Sequence, residues 1–119
     1  MGFLQRFLHR ISESDEHRLS EEILEWASSI PGTVRIAEAP SRSHVKVAGV
    51  VRRITVIPAQ GTESLQAQLV DGTGEVAVVW MGRRSIPGLT LGTRVVVEGV
   101  LAEQRTGRRM VNPRFEFAT

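Results

Sequence analysis

The chain has 119 residues, enough for one domain with its own core and a short appendage. It is 41% hydrophobic and 24% charged, has no apolar run near the roughly 18 residues of a membrane span, and lacks cysteine. That excludes disulfides, thiolate metal sites and cysteine nucleophiles, and fits a reducing, cytoplasmic setting. The net charge of +2 hides a division: residues 1–40 hold four Arg against seven acids, and residues 41–119 hold eleven basic residues against six.

The N-terminal segment reads as helical. Phe3, Leu4, Phe7, Leu8 and Ile11 recur with a helical period, and Arg6, His9 and Arg10 lie toward the other side. This alternation of apolar and basic residues lacks the continuous apolar stretch of a secretory signal. Residues 12–17 read as a polar linker or as an extension of either helix, which makes the appendage one or two helices. A second helix is expected from Ser20-Glu21-Glu22, with an apolar stripe of Ile23, Leu24, Trp26 and Ala27, stopped by Ile30-Pro31-Gly32. Residues 1–32 thus form a helical appendage. Its apolar face either docks on the rest of the chain or pairs with a protein partner, a second copy or a membrane surface, for which the helix is only weakly basic.

From Thr33 the period changes to two. A weak extended run, with Val34 and Ile36 alternating, ends at Pro40. Five stronger strands follow. The first spans about 44–57, with a parity shift at Gly49 that predicts a bulge or bend. Residues 58–63 read as a loop. The second strand, about 64–70, turns Leu65, Ala67 and Leu69 inward and Ser64, Gln66 and Gln68 outward. Asp71-Gly72-Thr73-Gly74 reads as a tight hairpin into the third strand, about 75–81. It is too short for a Walker loop and opens no helix. Residues 82–92 form a connection. The fourth strand is about 93–103, and Thr106-Gly107 turns it into a fifth, about 109–117, interrupted by Pro113.

This layout is mainly β: a long bent strand, a hairpin, an insert after the third strand, then another hairpin. It is the order of a five-stranded Greek-key OB-fold barrel over residues 33–119, preceded by a helical appendage. An SH3-like barrel is the competitor, with shorter strands and its insert elsewhere.

Three segments form an ordered series: Val45-Lys46-Val47-Ala48-Gly49, then Leu69-Val70-Asp71-Gly72-Thr73-Gly74, then Leu91-Gly92-Thr93-Arg94-Val95-Val96-Val97-Glu98-Gly99. The series resembles OB-folds of the tRNA-anticodon and helicase-wedge kind. Val78-Val79 before Trp80-Met81-Gly82-Arg83-Arg84-Ser85-Ile86-Pro87-Gly88, and the closing Asn112-Pro113-Arg114-Phe115-Glu116, resemble a small actinobacterial family of OB-fold nucleic-acid-binding domain proteins. The resemblance covers residues 33–119. It implies a nucleic-acid-binding module with no enzymatic activity of its own.

The residues give catalysis little support. His9, His17 and His44 are scattered, and no metal-ligand spacing or cofactor motif occurs. Fourteen of the fifteen basic residues are Arg, whose planar forked donors suit phosphates and base faces. OB-folds bind single strands across the second and third strands, flanked by the loops joining strands 1–2 and 4–5. That points to non-catalytic binding of single-stranded DNA or RNA. Arg105, Arg108 and Arg109 are the expected phosphate contacts, and Gln66 and Gln68 the polar groups of the face. Arg83, Arg84 and Trp80 are expected at its edge. Arg52 and Arg53, adjacent on one strand, point to opposite faces, so one of them serves; Arg52 is taken as that one. Trp80 is the candidate stacking ring, with core packing as its alternative, whereas Phe115 and Phe117 read as core. So few aromatic rings make any affinity modest and salt-sensitive. The alternative is a protein-interaction adaptor that uses the N-terminal helix as its contact.

Overall fold

A computed structural model of the chain describes the backbone of residues 2–59 and 61–118, and the side chains of 15–58 and 61–118. The expected face of Phe3, Leu4, Phe7, Leu8 and Ile11 therefore lies outside the described side chains. The N-terminal segment is a single helix, α1 (Gly2–Ser29), with the polar stretch extending it and not dividing it. The polar stretch at 12–17 contains no Gly or Pro to stop it. On that polar stretch His17 Nε2 lies 2.9 Å from the carboxylate of Glu21 one turn on. The helix ends where the Thr33 hydroxyl donates to the carbonyls of Ala27 (3.1 Å) and Ile30 (2.8 Å). Gly32 turns the chain away at φ +80°, a conformation that glycine adopts without strain.

The expected extended run at 33–39 is instead a single 3-10 turn over Ile36–Glu38. Only Val34 reaches the sheet there, donating its N–H to the Lys46 carbonyl at 2.9 Å. Three side chains hold the turn in place, one of them Thr73, whose hydroxyl accepts from the Ala37 N–H at 3.2 Å. The Asp71 carboxylate accepts from the Ile36 N–H at 2.8 Å, and the Arg108 guanidinium donates to the carbonyls that follow. Ile36 and Ala39 thereby enter the core.

Six strands follow: β1 (His44–Ala59), β2 (Thr62–Val70), β3 (Glu75–Met81), β4 (Arg94–Gln104), β5 (Gly107–Val111) and β6 (Arg114–Phe117). The protein is mainly β with one N-terminal helix. Five strands close into a ring in the order β1-β2-β3-β5-β4 and back to β1. All pairings are antiparallel except β3–β5. The long first strand makes closure possible: its first half pairs with β4 and its second with β2, and Val50 opposes both Arg94 and Val70. Gly49 lies at that crossing. A Cβ there would sit 3.1 Å from both the Leu69 Cβ and the Val70 carbonyl oxygen, so a side chain would push the strands apart.

The bulge expected near Gly49 falls two to three residues later. Val51 opposes Leu69 and Arg53 opposes Gln68, which leaves Arg52 as the extra residue. The expected loop at 58–63 is a short hairpin, because both strands extend to it and Gly61 takes φ +83°. The expected fifth strand is two. Asn112 (φ 50°) and Pro113 break it, and β6 returns along the opposite end of β4.

Alternating side chains fill the ring, with Val47, Leu65, Leu69, Val78, Val97 and Met110 almost wholly buried. Ile86 and Leu89 from the β3–β4 connection complete this core. Phe115 joins it in part, whereas Phe117 is 38% exposed and meets Phe115 edge-on at 5.9 Å, not the core position expected. On the outside, Ala27 of α1 packs on Ala48 and Val96, with Trp26 beneath Arg94 at 5.0 Å. The helix thus covers the β1–β4 side. No helix among the described residues is long and apolar enough to cross a membrane.

Candidate functional site

The outer face of β1, β2, β3 and β5 carries the side chains of interest, and strand register orders them in rows. One row runs Arg53, Gln68, Ala77, Arg109 and Ala102 across all five strands of the ring. The next runs Thr55, Gln66, Val79 and Val111, and the third Ile57, Ser64 and Met81. Residues directly opposite share a face and lie about 5 Å apart, so each row is a line of neighbouring side chains. The face is polar and basic at one end. At the other it is apolar, with Ile57 and Val111 exposed and Met81 59% exposed.

The nine residues expected at a site are not one group. Gln66 and Gln68 are half-buried and stand beside Arg109, as expected. Together with Glu75, Gln104 and Arg108 they line a cavity of about 190 Å³ beneath the β4–β5 turn. Arg105 is exposed on that turn. Arg109 is half-buried; its Nε is enclosed with no acceptor, and no described residue pairs with its charge.

Three expectations need correction. Arg108 is not a free phosphate contact. Its guanidinium donates to the carbonyls of Ile36, of Ala39 at 2.8 Å and of Ala37 at 3.4 Å, so it ties the 3-10 turn to β5. Trp80 is not at the edge of the face. It is 4% exposed and packs edge-on against Phe115 with ring centroids 5.3 Å apart, because it shares the inward parity of Leu65 opposite. Arg52 is not the residue in register with the face. Unbroken alternation would have let one of the pair serve, but the bulge makes Arg52 the supernumerary residue and sets Arg53 opposite Gln68.

Arg83 and Arg84 follow β3 at its far end, roughly 20 Å along the strand from Ala77. Both are exposed, and Arg84 Nε forms an ion pair with Glu63 at 2.6 Å without the alignment of a hydrogen bond. The basic groups therefore flank the β2–β3 face at two ends. Arg53, Ile57, Met81 and Val111 escaped the sequence reading. The parity of Met81 relative to Gln66 and Gln68 is legible once β2 and β3 are paired, but the placement of Arg53 depends on a bulge with no local signature.

Elsewhere, a cavity of about 420 Å³ lies between α1 and the 33–38 segment, lined by Leu24, Ala27, Val34, Arg35 and Glu38. Asp71 borders it, but that carboxylate is 1% exposed and fully engaged: it also accepts from Thr73 N (2.8 Å), Thr73 Oγ1 (2.6 Å) and Gly74 N (3.1 Å). On β4, Glu98 accepts from His44 Nε2 at 2.9 Å, and this bond chiefly holds its carboxyl below the ordinary 4.5. No group of three or more His, Asp or Glu among the described residues could hold a metal ion. No protein-family model matches the chain, and no curated protein matches it.

Proposed function

We propose that residues 33–119 form an OB-fold barrel that binds single-stranded DNA or RNA without catalysis, as the sequence resemblance implies. The ring order, the long first strand shared by two partners and the single parallel β3–β5 pairing support the fold assignment. The observation that carries the functional reading is the open outer face. There Arg53, Gln68 and Arg109 stand in one cross-strand row beside exposed Ile57, Met81 and Val111. Arg side chains neutralise phosphates, glutamine amides hydrogen-bond bases, and the aliphatic end offers bases a dry surface in place of aromatic rings. The acidic residues of α1, Glu21, Glu22 and Glu25, are exposed on the helix and are not part of these strands.

The test is fluorescence anisotropy with labelled single-stranded DNA and RNA at two salt concentrations. Three phosphate contacts, from Arg53, Arg105 and Arg109, give a slope of log affinity on log salt of about −2. Affinity then falls roughly 20-fold between about 50 and 200 mM salt. Substituting all three by Ala flattens the slope. No binding at low salt, or a slope that survives the triple substitution, overturns the reading. The first of these would leave the N-terminal helix as the contact with a protein partner.

A further inference from the structure

The geometry points to the cavity beneath the β4–β5 turn as a pocket for one unpaired guanine base of the bound strand. This inference rests on the single-strand reading above and adds a base preference to it. The cavity is real space in the face because two of its lining positions, Ala77 and Gly107, bring little or no side chain. At about 190 Å³ it is smaller than the roughly 300 Å³ at which pockets for drug-sized ligands begin. It takes one planar ring system and leaves sugar and phosphate outside, where the exposed Arg105 stands on the turn.

The chemistry of its wall selects the base. Glu75 and Arg109 stand on the same face, two positions apart along β3 and one strand across, so their Cα atoms are roughly 8 Å apart. They make no ion pair with each other, and neither has a charged partner among the described residues. An acceptor-only carboxylate and a donor-only guanidinium thus line one cavity without pairing with each other. Guanine presents two adjacent donors, N1–H and N2–H, on one edge and two adjacent acceptors, O6 and N7, on the other. It therefore meets Glu75 with the first edge and Arg109 with the second, the commonest side-chain pairing for this base. Adenine, cytosine and thymine each set a ring or carbonyl acceptor beside any donor, and that acceptor would face the carboxylate. Gln66, Gln68 and Gln104 donate or accept according to rotamer and do not oppose the choice. Arg108 is already committed to the carbonyls behind it, so it shapes the wall without competing.

The experiment measures binding of a deoxythymidine tract and of the same tract with one central guanine, adenine, inosine or 7-deazaguanine. Inosine lacks the N2 amine that Glu75 would accept from, and 7-deazaguanine lacks the N7 that Arg109 would donate to. The guanine strand should bind about tenfold more tightly than the adenine strand or the plain tract, and each analogue should lose part of that gain. Glu75→Ala should abolish the difference between guanine and inosine. Failure of the plain tract to bind overturns the single-strand reading itself. A tract that binds equally well with or without guanine overturns the pocket alone. Free guanosine monophosphate that displaces the strand at comparable concentration would mean that the cavity takes a free nucleotide, and would overturn the strand-borne assignment.

Discussion

Arg108 and Arg109 are adjacent on β5, and the structure gives them opposite jobs. Arg108 donates to the carbonyls of Ile36 and Ala39, and over a longer distance to that of Ala37. A hydrogen bond to a charged donor contributes about 1.5–3 kcal/mol, and water can reach part of this half-buried site. Arg108→Ala should therefore cost about 2–4 kcal/mol, because the 3-10 turn that delivers Ile36 and Ala39 to the core loses one of its three ties. For a chain of this size that is a fall in Tm of roughly 10–15 °C. Arg109 donates to no described acceptor, so Arg109→Ala should leave Tm within about 2 °C and weaken single-strand binding by about three- to tenfold. Thermal denaturation followed by far-UV circular dichroism reads the first effect, and anisotropy titration below the melting range reads the second. The reasoning is refuted if Arg108→Ala melts with the wild type, or if it costs as much affinity as Arg109→Ala.

Removing the Asp71 tie should be at least as damaging: Asp71→Ala strips the acceptor from four donors and should cost about 3–4 kcal/mol by urea denaturation, with Asp71→Asn intermediate. Gly72 sits at φ +89°, and a Cβ there would lie 2.5 Å from the Ser20 carbonyl oxygen. Gly72→Ala should thus cost about 1–3 kcal/mol in backbone strain and loosen α1, measurable as faster hydrogen exchange at residues 20–27. Trp80→Ala should cost about 3–5 kcal/mol by the same denaturation assay. Trp80→Phe should cost only about 1–2, because it keeps an edge contact with Phe115 and removes an indole N–H that has no acceptor. Glu98 titrates below its ordinary value, so its stabilising contribution is present above pH 4.5 and fades as pH falls through the lowered folded value. His44→Ala should move the Glu98 titration, followed by carboxyl NMR, back up toward 4.5.

Period-two alternation made most of the ring legible. The inward set Leu65, Ala67 and Leu69 and the hairpin at 71–74 follow from side-chain parity and turn chemistry acting over a few residues. What was not legible depends on contacts distant in the chain. Residues 33–39 alternate like a strand, yet the partners of that segment include Asp71 and Arg108, 35 and 72 positions away from Ile36, and they fix it as a turn. The unbroken run of α1 through the polar stretch has a local reason that was available, since nothing between residues 12 and 17 breaks a helix. Of the two terminal Phe residues expected in the core, Phe115 joins it in part and Phe117 does not. β6 is a new strand on the far end of β4, and its last residue overhangs the core.

The candidate site shows the same division more sharply. Gln66 and Gln68 were placed correctly because β2 alternates without interruption from Ser64 to Val70. Arg52 and Arg53 could not be separated, because a one-residue bulge exchanges the faces of everything beyond it and leaves no mark in composition. Arg108 and Arg109 look equivalent in the sequence, and only the position of the 3-10 turn distinguishes a structural cation from a free one. Nor is α1 neutral in this: by covering Ala48 and Val96 it leaves the outer side of β2 and β3 open. Under the proposed function, Arg53 and Arg109 give that open side the positive charge that attracts a polyanion. Reversing that arrangement, with Glu at Arg53 and at Arg109, should abolish binding while the ring stays folded, because both side chains project from the outer face and neither ties two elements together.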